Sequence, residues 1–148
     1  MGGIMIMISA ILLLVAGGSP APPTQKECTA EIAALEAAST SSLITATRWR
    51  AFRGVARLRL KSGLEVLPGM IGCPDFTDAA AELKSDPATR AALRRAGLSP
   101  VEYVQTGWAL LVANDPETFR VGSSAVMRSN VAFIAKHRAE VDSLLSGR

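Results

Sequence analysis

The run Arg94-Arg95-Ala96-Gly97-Leu98-Ser99-Pro100-Val101-Glu102-Tyr103 constrains this chain more than any other stretch. Gly97 suits the position just past a helix end, because glycine takes a left-handed backbone at little cost. Leu98 can then fold back on Leu93, the apolar contact that accompanies such an ending. Arg94 and Arg95 fall in the last turn, where the helix dipole favours cations. The chain restarts at once. Ser99 is an N-cap, Pro100 takes the first helical position, and Glu102 completes a capping box. Leu98 and Tyr103 bracket the start as a hydrophobic staple. The sequence thus predicts one helix ending at Ala96 and another beginning at Pro100.

The helix that follows is apolar nearly all round. Val101, Val104, Trp108, Leu111 and Val112 share one face, and Leu110 and Ala113 extend it. Such a helix belongs at the centre of a domain. Gly107 in its interior costs about 1 kcal/mol against alanine, which predicts close approach of a neighbouring helix.

The rest of the chain reads the same way. Its 148 residues suit one domain, and 49% are apolar, enough for a core. Aromatic residues are only 5%, while Ala and Leu are abundant, which favours helices over a sheet. Thr24 and Glu27 form a capping box for a first helix carrying Cys28, Ile32 and Leu35, closed by Ser39–Ser42. In Leu43–Leu67, the spacing of Trp49, Phe52, Val55 and Leu60 predicts a helix to about Lys61. A hairpin about Ser62-Gly63 is the alternative, and Pro68-Gly69 breaks the chain. Two short helices follow, one capped by Asp75 or Thr77, the next by Asp86 with Pro87 at its first position. Asn114-Asp115-Pro116 ends the central helix and starts at most a single turn. Val121–Ser129 reads as loop. The last helix, capped by Ser129 or Asn130, has a stripe of Val131, Ile134, Val141 and Leu145 and ends at Gly147. The expected fold class is all-α: a small single-domain bundle of four main helices plus one or two short ones.

The N-terminus points to export. Ile4–Ala16 is a run of thirteen apolar or small residues broken only by Ser9. A membrane-spanning helix needs about 20, so this run matches the core of a signal peptide. Ala16 to Ser19 supply small residues for cleavage near Gly18, with Ala21 as the alternative. Residues 1–18 are expected to be a cleavable signal peptide, 19–24 an extended Pro-rich linker, and 25–148 the helical domain. An uncleaved inner-membrane anchor is the alternative. The two cysteines, Cys28 and Cys73, are expected to form a disulfide in a periplasmic or secreted protein.

Chemistry is harder to find. His137 is the single histidine. No G-x-S-x-G or comparable motif accompanies it, so no catalytic residue is assigned and no enzyme is expected. A haem would use His137 with Met70 or Met127 as axial ligands, but no C-x-x-C-H motif is present. No cofactor and no metal are assigned. Arg48, Arg50, Arg53, Arg57, Arg59 and Lys61 follow one another with no acid between Leu43 and Leu64. Arg50, Arg53, Arg57 and Lys61 would share a face suited to an anionic surface. Tyr103, Gln105 and Trp108 mark the place to look for a pocket. Nucleic acid is not expected, since an exported protein seldom meets it and the net charge is only +3.

Asp86, Pro87, Ala96–Pro100, Glu102, Tyr103, Asn130, Val131, Phe133, His137, Ala139 and Glu140 carry a resemblance. They are similar to the A-G-L-[ST]-P-x-E-Y corner and terminal N-V-x-F-x-x-x-H-x-A-E helix of small exported bacterial proteins of unassigned function. That resemblance implies a helical fold and export and carries over no catalytic residue. The expected function is a non-enzymatic binding or structural protein of the cell envelope, with another envelope protein or an anionic membrane surface as partner. The alternative is a small-ligand or haem carrier using the core near His137 and Trp108.

Overall fold

The computed structural model describes residues 28–69, 75–119 and 124–147, without the side chains of 30–32, 34, 35 and 38 in the first helix. The described residues form seven helices and no strand: α1 (Thr29–Ser41), α2 (Ala46–Lys61), α3 (Phe76–Ser85), α4 (Pro87–Ala96), α5 (Pro100–Asn114), α6 (Pro116–Phe119) and α7 (Ala125–Leu145). The fold is all-α, as composition and periodicity predict. The hairpin alternative about Ser62-Gly63 is not formed: α2 continues to Lys61, and Gly63 turns the chain with φ 70°. Of the N-terminal readings, the signal peptide, the linker and the Thr24–Glu27 capping box lie outside the described residues.

Local chemistry sets most helix boundaries. Gly97 has φ 67°, the Leu98 amide donates to the Leu93 carbonyl at 3.1 Å, and the Gly97 amide donates to Arg94 at 3.2 Å. This double bond pattern closes α4. Ser99 Oγ accepts from the Glu102 amide at 3.1 Å, while a Glu102 oxygen accepts from the Ser99 amide at 2.8 Å, so the predicted capping box is complete. Asp75, rather than Thr77, caps α3, accepting from the Thr77 amide at 2.6 Å. Asp86 caps α4 through the Thr89 amide at 2.7 Å.

Two of these caps, and Asp115, which accepts from the Thr118 amide and hydroxyl at the start of α6, make stability depend on acid. Hydrogen bonds from the Thr89 hydroxyl and amide hold the Asp86 carboxyl below its ordinary 3.8. The Ser99 amide and hydroxyl hold Glu102 below 4.5, and the Thr118 hydroxyl and amide hold Asp115 below 3.8. A carboxyl lowered in the folded state stabilises the fold above its unfolded value and loses that contribution as pH falls through the folded value. Urea denaturation is therefore expected to show flat stability down to about pH 5 and a steady fall below about pH 4. Glu102→Gln, which keeps the cap geometry, should flatten part of that fall.

The central helix is α5, which packs against each of the other six helices. Its buried set includes Tyr103, Val104, Trp108, Leu110, Val112 and Ala113, whereas Val101 is 43% exposed. Burying side chains of this size stabilises by roughly 1.5–3 kcal/mol each. Gly107 does meet a close neighbour, but the neighbour is Leu67 in the loop after α2 and not another helix. At the C-terminal end the loop reading of Val121–Ser129 is corrected. Ser124 caps α7 through the Met127 amide at 3.0 Å, so the helix starts at Ala125 and Ser129 and Asn130 lie inside it. Residues 121–123 lie outside the described residues. Met127 is buried, and its apolar contact extends the core stripe a turn further back than Val131.

Candidate functional site

Among the described residues, the predicted basic and pocket side chains lie on α2 and α5, and His137 of α7 packs against Trp49 of α2. In α2 the basic residues separate by face. Trp49, Phe52, Val55 and Ala56 face the core, and the next position on that stripe is Arg59, not Leu60. Arg59 is only 1% exposed. Its Nε donates to the Glu65 carbonyl at 2.7 Å, one terminal nitrogen donates to Thr89 Oγ1 at 3.2 Å, and the other pairs with Glu82 at 3.4 Å. One guanidinium thus joins the loop after α2 to α3 and α4. Five fixed donors in a plane make arginine the side chain suited to three acceptors in different directions. The sequence reading missed this because it counted Arg59 as one more member of a charged run.

Arg53 and Arg57 turn toward α7. Both donate to Glu140 Oε1, at 2.5 and 3.1 Å. The His137 ring stacks on Phe133 at 4.4 Å, and its Nδ1 lies 4.0 Å from Glu140 Oε2. Trp49 sits under this group, 6.2 Å from the Phe133 ring and 6.3 Å from His137, with the Arg53 guanidinium 6.0 Å from its own ring centroid. The indole N–H of Trp49 is buried with no acceptor among the described residues. Asn130, one face-turn earlier on α7, is fully buried. It accepts from the Ile44 amide at 2.8 Å and donates to the Ser42 carbonyl at 2.9 Å, which pins the α1–α2 connection. Asn130, Phe133, His137 and Glu140 therefore form one stripe of α7 directed at α2 and the segment before it. Their spacing of three, four and three residues is the helical signal for a shared face.

Arg50 and Lys61 stand apart from that stripe. Arg50 Nε reaches only its own helix, at the Ala46 carbonyl 3.3 Å away, and Lys61 is exposed.

The residues singled out for a pocket are structural. Tyr103 is fully buried, stacks on Phe52 at 4.6 Å, and donates its hydroxyl to the Val66 carbonyl at 2.8 Å. Burial pushes that phenol far above its ordinary value, so it stays a neutral donor. Trp108 meets Phe119 edge-on at 6.4 Å, and Gln105 is half-buried. A cleft of about 520 Å³ lies elsewhere, between Leu60, Leu64, Leu67, Leu111 and Leu145, and none of Tyr103, Gln105, Trp108 or His137 lines it. The haem arrangement that uses Met127 fails on geometry. Met127 and His137 are ten residues apart on one helix, about 15 Å along its axis, too far to grip one iron. Met70 lies outside the described residues, as does Cys73; Cys28 is buried at the head of α1.

No described helix is long and apolar enough to cross a membrane. Comparison with protein-family models, with characterised proteins and with solved structures finds no match to this chain.

Proposed function

We propose that this is an exported protein of the cell envelope that works by binding and not by catalysis. One contrast carries the reading. The groups suited to chemistry are engaged in holding helices together: Glu140 between Arg53 and Arg57, the Tyr103 hydroxyl on Val66, Arg59 on three partners. Arg50 and Lys61 of α2 are exposed and, among the described residues, bridge to no other helix, so they face solvent on a rigid element. Preformed charge on a rigid element favours recognition of an anionic partner.

In this reading residues 1–18 direct export and are removed. Cys28 pairs with Cys73 in the oxidising compartment beyond the membrane. The even cysteine count and the buried position of Cys28 support the pairing, and no free cysteine occurs among the described residues. Cell fractionation with intact-mass measurement of the native protein tests the proposal. The expected result is an envelope or secreted form starting after Gly18 or Ala21, heavier by two hydrogens after reduction. A cytoplasmic form that keeps Met1, or a mass unchanged by reduction, would overturn the export or the disulfide respectively.

A further inference from the structure

The modest net charge of +3 conceals a strong local imbalance. Helix α2 carries Arg48, Arg50, Arg53, Arg57, Arg59 and Lys61, and α4 carries Arg90, Arg94 and Arg95. Neither helix contains an acid. The two pack side by side, so nine of the chain's sixteen lysines and arginines occupy one helix pair. Arg59 points inward, and Arg53 and Arg57 share Glu140 on the side toward α7. On the side toward α4, Glu82 pairs with the buried Arg59, and among the described residues no carboxylate pairs with Arg50, Arg94 or Arg95.

A cleft of about 410 Å³ opens there, with Arg50 on the α2 wall and Arg95 on the α4 wall. Its floor is small and apolar, built mainly from Ala51, Gly54, Ala92 and Ala96, and no acid lines it. Gly54 is exposed, and a Cβ added to it would meet nothing within 4 Å, so the space above the floor is open. The side chains of Arg94 and Arg95 make no hydrogen bond or ion pair among the described residues. Two exposed guanidinium-bearing residues lining one apolar trough match an anion with an apolar body. Each guanidinium can grip two oxygens of a phosphodiester. A surface for single-stranded nucleic acid would call for aromatic platforms, and the aromatic residues of α2, Trp49 and Phe52, are both buried.

We propose that the α2–α4 face docks on an anionic phospholipid bilayer, with a headgroup phosphate seated between Arg50 and Arg95. The proposal rests on the binding reading above but is tested apart from it, because vesicle binding by the purified protein does not depend on where a cell places it. Co-sedimentation with phosphatidylcholine vesicles, with and without phosphatidylglycerol, is measured at low and high salt. Binding is expected only with phosphatidylglycerol and should weaken with salt. At about fivefold per cation, Arg50→Gln with Arg95→Gln should lower the partition roughly 25-fold. Lys136→Gln with Arg138→Gln removes the same charge from α7 and should change it far less. Gly54→Gln, which adds bulk above the floor without charge, should weaken binding while leaving the helical circular-dichroism melt intact. No binding to phosphatidylglycerol vesicles would overturn the proposal. So would equal losses from the α7 pair and the cleft pair, which would mean diffuse charge attraction only. Binding to polyglutamate or duplex DNA without binding to vesicles would overturn it in favour of an acidic polymer.

Discussion

Replacing Arg59 by alanine is expected to destabilise the fold by about 4 kcal/mol, about half from lost hydrogen bonds and half from the cavity the side chain leaves. The substitution takes the side-chain donor from the Glu65 carbonyl, removes one of the partners of the buried Thr89 hydroxyl, and opens a cavity among α2, α3 and α4. It also removes a charge that helps hold Asp86 ionised at the α4 cap. Size and charge can be separated. Arg59→Lys keeps the charge but offers one ammonium to acceptors in three directions, so it should recover only part of the loss. Arg59→Met keeps most of the volume without stranding a buried acid, because the Glu82 side chain is 52% exposed. It should cost about 2 kcal/mol, from unpaired acceptors alone. Glu82→Gln should change stability by less than about 1 kcal/mol, as for other solvent-screened pairs. Urea denaturation of the four variants gives the order. An alanine variant within about 1 kcal/mol of the parent would mean that Arg59 fills space without joining the helices.

Gly107→Ala is expected to destabilise by about 2 kcal/mol, although alanine is favoured over glycine inside a helix by about 1 kcal/mol. The reason is steric. A Cβ at 107 would lie 2.0 Å from Leu67 Cδ2 and 3.0 Å from Leu67 Cγ. Moving one methyl does not relieve the contacts, and Leu67 is only 6% exposed, so its whole side chain would have to move within a packed core. The sign should reverse when Leu67 is cut back. In a Leu67→Ala background, Gly107→Ala should stabilise by about 1 kcal/mol, a coupling near 3 kcal/mol across the double-mutant cycle. Equal effects of Gly107→Ala in both backgrounds would show that Leu67 is not what selects glycine there.

These two residues mark where the sequence stopped being informative. Glycine inside an apolar helix announces close approach, and that much was legible. Its partner was not, because Leu67 belongs to an irregular segment with no periodicity to orient it. Arg59 sat in plain view within a run of basic residues. Helical spacing from Trp49, Phe52 and Ala56 already placed it on the buried stripe, but the acceptors that let it be buried come from Glu65, Glu82 and Thr89. A pattern read along one helix does not contain them. The same holds for the docking face. The basic run of α2 was legible, while Arg94 and Arg95 read as complements to the dipole of their own helix. Only the packing of α4 on α2 sets Arg95 across a cleft from Arg50.

Asn130 shows the opposite failure. Asparagine is a good N-cap, so it read as the start of the last helix. Ser124 holds that role, and Asn130 instead bonds the segment between α1 and α2 from inside α7. Local preference named a residue type correctly suited to two jobs, and a contact 86 residues away in sequence chose between them.

What the sequence determined by itself is local. The Schellman ending at Gly97, the box of Ser99 and Glu102, the proline starts and the all-round apolar α5 depend on bonds spanning a few residues, so their residues specify them directly. What the tertiary structure decided is which way each arginine of α2 faces and with what. Arg57 and Arg59 are two residues apart, yet one stands at the surface on Glu140 and the other lies in the core. Burying a guanidinium is tolerated only where acceptors replace its water, and those acceptors are assembled from distant segments when the helices pack.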